Sequence, residues 1–210
     1  MKNYYPNVRQ NDPVYLMRHV DELLKIAKAH KNSSSLIYAC LDSRIALEYV
    51  DLYSIIASVE EQDKTAVLVS SKPKNGIDRL NNKHKSLKEK YQIFFQIVSE
   101  ILEVKWIKYD YKKSKELQFR LSSYIHSYHM LEDEICFDSD IMQAVFPLIE
   151  EVKEFIKSSI FDGKDYRFLG IEISTIPEED KLLLQEWKDN AKMTQEELKE
   201  KLLLNLERRK

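Results

Sequence analysis

An arginine and a histidine lie six residues apart in the segment RLSSYIH, residues 120–126. The guanidinium of Arg120 could clamp a phosphate, and the imidazole of His126 could move a proton near neutral pH. Together these groups suit cleavage of RNA, in which the 2′-hydroxyl attacks its own phosphate. Six residues of a regular helix turn through about 600°, so the two side chains point roughly 120° apart. We therefore expect them to converge only in a distorted helix or across two chains. The alternative is a surface arginine and a histidine at the edge of the core.

A second pair of charged residues, Arg44 and Glu48, is four residues apart and therefore shares one face of a helix. The surrounding sequence is predominantly apolar, and burial of these two charges costs several kcal/mol unless they are paired. We predict that Arg44 is largely buried and forms a structural ion pair with Glu48 that holds helices together.

Metal and cofactor chemistry has little support in the sequence. His126 and His129, with Asp133, could ligate a metal, but three ligands of mixed type on one helix are a weak signal. The chain contains no glycine-rich phosphate loop, nucleophile elbow or paired-cysteine site. We therefore predict neither a metal nor a cofactor. Cys40 and Cys136 lie among apolar residues without CxxC spacing, which predicts two buried free thiols.

Charge is distributed unevenly along the chain although the net charge is only -2. Residues 64–115 contain 13 Lys and Arg against 5 acidic residues, whereas residues 116–154 contain 9 acidic residues against 2 basic ones. Such asymmetry is found in proteins with a nucleic-acid surface beside an acidic one. It is also found where two charged blocks face each other, within one chain or across a dimer.

The composition predicts an all-α fold. Only 3 glycines and 5 prolines are present, and helix-forming Leu, Lys and Glu are abundant. Apolar periodicity and capping residues predict helices over 13–30, 35–60, 79–104, 114–131, 139–161, from Pro177 to about 190, and 195–208, with a loop over 70–77. At most one short strand is expected, near 166–173. We predict a helical bundle over 1–162, then a linker and a C-terminal helical hairpin over 163–210.

Targeting signals are not evident in the sequence. The first ten residues, MKNYYPNVRQ, lack the apolar core of a signal peptide. No apolar run reaches the length of about 18 residues that a membrane-spanning helix needs. We predict a cytoplasmic protein that does not cross a membrane.

Two segments resemble a known family of helical domains. Residues 41–48, LDSRIALE, resemble the Arg-x-x-Leu-Glu helix of several HEPN-like proteins (higher eukaryote and prokaryote nucleotide-binding domain). Residues 120–126 resemble the Arg-x4–6-His motif of that superfamily, about 75 residues later, as the family's order requires. The resemblance covers residues 33–160 and implies an all-α bundle, often dimeric, in which Arg–His pairs meet across the dimer.

The resemblance also implies a chemistry. Active members are metal-independent ribonucleases, frequently in antiviral or toxin–antitoxin systems, so Arg120 would hold the phosphate and His126 would be the general base or acid. Active members usually place a polar residue directly after the arginine, where this chain has Leu121. A member without catalysis would bind nucleotide or RNA, or only dimerise.

We therefore predict a HEPN-like homodimer that binds RNA or nucleotide, and that cleaves RNA if its Arg–His motif is active. One alternative is a non-enzymatic helical protein that assembles with a partner through its helices. The other is a regulator that binds a small ligand inside the bundle.

Overall fold

The computed structural model describes residues 12–59, 61–160, 166–167 and 176–209. Within these residues the fold is all-α, which confirms the prediction, and the strands are two residues long. The elements in chain order are α1 (Pro13–His30), α2 (Ser33–Ile56), α3 (Glu61–Ser71), α4 (Gly76–Lys83), α5 (Lys85–Ile101), β1 (Trp106–Ile107), α6 (Tyr111–Ile125), α7 (Asp140–Gln143), α8 (Val145–Ile160), β2 (Tyr166–Arg167), α9 (Glu178–Asp189) and α10 (Gln195–Arg208).

The chain divides into two compact units, and each consists of two separate stretches of sequence. Unit 1 comprises residues 1–51 and 110–157, and unit 2 comprises residues 52–109 and 158–210. The predicted boundary between bundle and hairpin, near 162, falls on residues outside the described part of the chain and stays a prediction.

Unit 1 is built on helices that begin where local chemistry favours a helix start. In α1 the carboxylate of Asp12 accepts hydrogen bonds from two backbone N–H groups of the first turn, and Pro13 occupies the first helical position. The helix ends at His30 and is capped by Lys31, which adopts a left-handed conformation with φ 48°. One stripe of α1 is buried, and α2, α6, α7 and α8 contribute the other large buried side chains of the unit. Buried apolar residues of unit 1 include Leu16, Val20, Leu24, Leu36, Leu47, Leu117, Leu121, Leu148, Ile149 and Val152.

Several predicted helices differ from the observed ones in their ends. The helix predicted over 79–104 is two helices, α4 and α5, which meet at His84, and the helix α3 was not predicted. The helix predicted over 114–131 ends at Ile125 and is followed by a short 3-10 turn. The helix predicted over 139–161 could be capped by Asp138 or Ser139; the structure shows Ser139 as the cap, and the helix is interrupted at Ala144. The interruption places Pro147 in the first turn of α8, where its missing N–H costs nothing.

Unit 2 contains a close approach between the end of α3 and the start of α4. A Cβ atom on Gly76 would lie only 2.3 Å from the carbonyl oxygen of Ser71. No side chain fits in that space, so glycine is required for the tight turn between the two helices.

In the same unit, α5 is joined to α9 by a reciprocal set of hydrogen bonds. The ammonium of Lys90 donates to the carbonyls of Trp187, Lys188 and Asn190 at 2.8, 2.9 and 3.2 Å. The indole N–H of Trp187 donates in return to the carbonyl of Lys90 at 2.8 Å. A cation at a helix C-terminus satisfies carbonyls that lack a helical partner and opposes the negative end of the dipole.

The only strands among the described residues, β1 and β2, pair in parallel. Trp106 is opposite Tyr166, and Ile107 is opposite Arg167. The strand predicted over 166–173 is thus present at its first two residues, and residues 168–173 lie outside the described part of the chain. The partner strand at 106–107 was not predicted.

Candidate functional site on helices α1, α2 and α6

The predicted pair Arg44–Glu48 is present on α2. The Nε atom of Arg44 donates to Oε1 of Glu48 at 3.0 Å, and Nη1 donates to Oγ of Ser122 on α6 at 3.0 Å. The prediction of the pair is confirmed, but the prediction that Arg44 is largely buried is wrong, because 33% of its side chain is exposed. Arg44 lies at the edge of the contact between α2 and α6, where the guanidinium reaches across to Ser122 while remaining in contact with water.

A buried polar contact continues along the same pair of helices. The side-chain amide of Gln118 donates to Oδ2 of the fully buried Asp51 at 2.6 Å and to Oγ of Ser114 at 3.2 Å. Because Arg44 contacts Ser122 and Asp51 contacts Gln118, the two helices run antiparallel. The two segments that resemble HEPN-like motifs therefore lie side by side in unit 1, joined by polar side chains.

Arg120 forms ion pairs with two carboxylates on the side of α6 that faces α8. Its Nη1 lies 2.6 Å from Oε2 of Glu151 on α8 and 3.6 Å from Oε1 of Glu116. Lys113 contacts the same two carboxylates, at 2.6 Å from Glu151 and 3.1 Å from Glu116. The hydrogen bond from Lys113, together with Arg120, lowers the pKa of Glu151 from its ordinary value. The cluster of two bases and two acids is neutral, so a phosphate that bound Arg120 would compete with Glu151.

His126 lies at the C-terminal cap of α6 and is exposed. Ser122 contacts Arg44 and therefore faces α2. His126 comes four residues later, so it lies on the same side of α6 as Ser122. Arg120 faces α8 instead. The single chain therefore does not bring Arg120 and His126 together, in line with the angle of about 120° expected from their spacing. Their meeting across a dimer stays a prediction.

Large aromatic side chains are exposed on α2 and α6. Phe119, three residues before Ser122, is 79% exposed, and Tyr38 and Tyr49 on α2 are 60% and 39% exposed. The two tyrosines are eleven residues apart, about three helical turns, and so share one face of α2. We call Tyr38, Tyr49, Phe119 and His126 the aromatic face.

A histidine–aspartate pair that we did not predict joins α1 to α2. The Nδ1 atom of His19 lies 2.5 Å from Oδ2 of Asp42, whose side chain is 7% exposed while that of His19 is 41% exposed. A carboxylate that accepts the Nδ1 proton leaves Nε2 as the unprotonated nitrogen of the neutral ring. The signal in the sequence was Asp42 itself, an acid inside the apolar stretch of α2 that needs a partner from another helix.

The two cysteines differ in burial. Cys40 is a buried free thiol, as predicted, and burial raises its pKa to about 12. Cys136 is free but exposed, which contradicts the prediction of burial, because it lies in the irregular segment that follows α6 rather than in a helix. The described residues, His126, His129 and Asp133 among them, contain no group of three His, Cys, Asp or Glu side chains that could hold a metal ion.

In the described part of the chain, no helix combines the length and the apolar character that a membrane crossing needs. Comparisons with protein-family models, with characterised proteins and with solved structures found no match to this chain.

Proposed function

We propose that this protein is a HEPN-like helical protein that binds RNA or nucleotide, and that the aromatic face is the binding surface. The observation that carries the proposal is the exposure of Phe119 and Tyr38, at 79% and 60%, together with an exposed His126 seven residues after Phe119. Every base has a π face, so aromatic side chains held in water on a helical scaffold bind single-stranded nucleic acid by stacking.

A cation on the same face supports the proposal. Lys112, Phe119 and His126 follow one another at intervals of seven residues, so all three lie along one side of α6. Lys112 is exposed and forms no ion pair with any described residue, which leaves its ammonium available to a phosphate. Arg44, one-third exposed beside Ser122, is a second cation at the edge of the face.

Cleavage of RNA requires more than binding. We propose that Arg120 and His126 act together only in a homodimer, in which His126 of one copy approaches Arg120 of the other as general base or acid. Arg120 would exchange Glu151 for the phosphate, so catalysis depends on displacement of a carboxylate that lies 2.6 Å away. Without this step the protein binds RNA and leaves it intact.

A second candidate function is a non-enzymatic interaction protein, and the same surface favours it. Apolar side chains exposed together on one side of a bundle are typical of protein–protein interfaces. In this alternative a second copy or another helical protein would cover the aromatic face, and RNA would not displace it.

Binding of fluorescently labelled single-stranded RNA, followed by anisotropy at several salt concentrations, separates the two functions. We expect saturable binding that weakens as salt rises, because phosphate contacts release counterions. Phe119→Ala and Tyr38→Ala should each weaken binding by about 5-fold to 150-fold, the range that corresponds to loss of one stacked base. Leu182→Ala removes a side chain that is 67% exposed in unit 2 and serves as the control. If the wild-type protein forms dimers but binds no RNA at low salt, RNA binding is excluded and the interaction function takes its place.

A further inference from the structure

An apolar cavity lies within unit 2 between α5, α9 and α10. Its volume is about 370 Å³, within the range of small-molecule sites and about twelve times the volume of a water molecule in the liquid. The buried side chains of Phe94, Phe95 and Leu202 line it, together with the half-buried Val98 and Leu206. Water gains few hydrogen bonds against such walls, so the cavity favours an apolar occupant.

One end of the cavity is polar. Nη1 of Arg209 lies 2.9 Å from Oδ2 of Asp180, and the side-chain amide of Asn205 donates to Oδ1 of the same aspartate at 3.0 Å. Nε of Arg209 donates to the backbone carbonyl of Asn205 at 3.1 Å. The side chain of Asp180 is 10% exposed and that of Arg209 is 31% exposed, so the guanidinium marks the open end. A guanidinium has five N–H donors, and the contacts with described residues leave some of them available to a ligand.

We propose that this cavity is a binding site for an uncharged amphiphile, a molecule with a hydrocarbon body and one hydrogen-bond acceptor such as a hydroxyl or carbonyl oxygen. The body would fill the space between Phe95 and Leu206, and the acceptor would take a hydrogen bond from Arg209. Apolar contact supplies most of the affinity, and the single polar contact sets the orientation.

The ion pair explains why the ligand is uncharged. Asp180 and Arg209 neutralise each other, so the polar end has no net charge to attract an ion. A carboxylate at Arg209 would lie beside Asp180, and an ammonium at Asp180 would lie beside Arg209. In both cases the charged group of the ligand would lose its hydration, while one member of the ion pair attracts it and the other repels it. The net result is unfavourable.

The two tryptophans of the chain make binding measurable. Trp106 and Trp187 both belong to unit 2, and the ring of Trp106 stacks on that of Phe95, with centroids 6.0 Å apart. A ligand against Phe95 should therefore change tryptophan fluorescence. We would titrate the full-length protein with 1-octanol, octanoate and octyltrimethylammonium, which share a chain length and differ in charge, and repeat the titrations by calorimetry.

We expect saturable binding of 1-octanol, with a Kd at least tenfold lower than the Kd of either ion. Leu206→Phe fills the cavity and should weaken octanol binding at least tenfold, whereas Leu204→Phe, on the exposed side of the same helix, should not. Arg209→Met should weaken binding severalfold, and Arg208→Met should have no effect. Thermal melts establish that each variant is folded, and Val98→Leu, a smaller change in the cavity wall, replaces Leu206→Phe if that variant is not. Octanol binding that fails to saturate, that the cavity variant leaves unchanged, or that octanoate matches would overturn the proposal.

Discussion

Arg44 and Arg120 each lie close to a carboxylate, and in both pairs the side chains are partly exposed. Partial exposure limits what an ion pair adds to stability, because water and salt screen the attraction and the side chains lose rotational freedom. The additional hydrogen bond from Arg44 to Ser122 makes its pair stronger than an isolated surface pair.

Arg44→Ala should therefore destabilise the protein by about 1–2 kcal/mol, the sum expected for a partly screened ion pair and a charged hydrogen bond. Urea denaturation measures the change in the free energy of unfolding. Lys25→Ala is the control, since it breaks the more exposed pair of Lys25 with Glu22 and should destabilise the protein less than Arg44→Ala does. A loss of about 4 kcal/mol for Arg44→Ala would show that its partner behaves as a buried charge.

Glu151 should make the stability of unit 1 sensitive to acid. Its pKa in the folded protein lies below the ordinary value of 4.5, chiefly because of the hydrogen bond from Lys113. A carboxyl group whose pKa is lower in the folded protein than in the unfolded chain stabilises the fold at pH values above its pKa in the unfolded chain. This stabilisation is lost as the pH falls through its pKa in the folded protein. The urea midpoint of the wild type should thus fall more steeply below about pH 4.5 than that of Glu151→Gln.

Glu154→Gln, which removes one charge at an exposed position of the same helix, should keep the wild-type pH profile. An identical acid profile for Glu151→Gln and the wild type would show that the cluster around Arg120 does not stabilise the fold.

At the scale of elements, the helices of each unit are joined by a few polar contacts placed among apolar ones. In unit 1 these are the contacts of α2 with α6 at Ser122 and Gln118. In unit 2 they are the contacts of Lys90 with the end of α9. Each polar contact satisfies a group that apolar packing alone would leave without a partner.

Lys90→Met should destabilise unit 2 by about 1–3 kcal/mol, because methionine keeps most of the aliphatic length but leaves the carbonyls at the end of α9 without their cation. Urea unfolding followed by the fluorescence of Trp187, whose indole contacts the backbone of Lys90, measures the loss. Lys85→Met, at an exposed position at the start of the same helix, is the control and should change stability by less than about 0.5 kcal/mol. Equal effects of the two substitutions would show that the capping contact has no energetic role.

At the scale of the whole molecule, the separation of Arg120 and His126 makes the proposed ribonuclease activity depend on a second copy. Their positions on different sides of α6 allow a direct test in mixtures. If the two residues act across a dimer, mixing inactive Arg120→Ala with inactive His126→Ala creates heterodimers in which one of two sites is intact.

We expect random mixing to restore about one quarter of the wild-type cleavage rate, because half the dimers are then heterodimers with one active site each. Light scattering on the same samples establishes the dimer. A mixture that stays inactive although heterodimers form would show that the two residues do not share a site across the interface, and a monomeric protein that cleaves RNA would exclude the dimer mechanism.

The sequence by itself determined the all-α class and many helix ends, because caps and apolar periodicity act within a few residues of one another. Asp12 with Pro13, and Thr194 with Glu197, begin helices where their local chemistry predicts. The pairing of Arg44 with Glu48 was predictable for the same reason, since a spacing of four places both on one helix face.

Only the tertiary structure decided which side chains lie in water and which distant groups meet. The partners of His19, Gln118 and Arg120 come from other helices, 23, 67 and 31 residues away, and no local rule selects them. Exposure of Tyr38 and Phe119 could not be predicted either, because an apolar residue on a helix is buried only if another element covers that side. Contacts between distant segments form only when the helices pack, and it is packing that placed the aromatic face, the carboxylates around Arg120 and the cavity of unit 2.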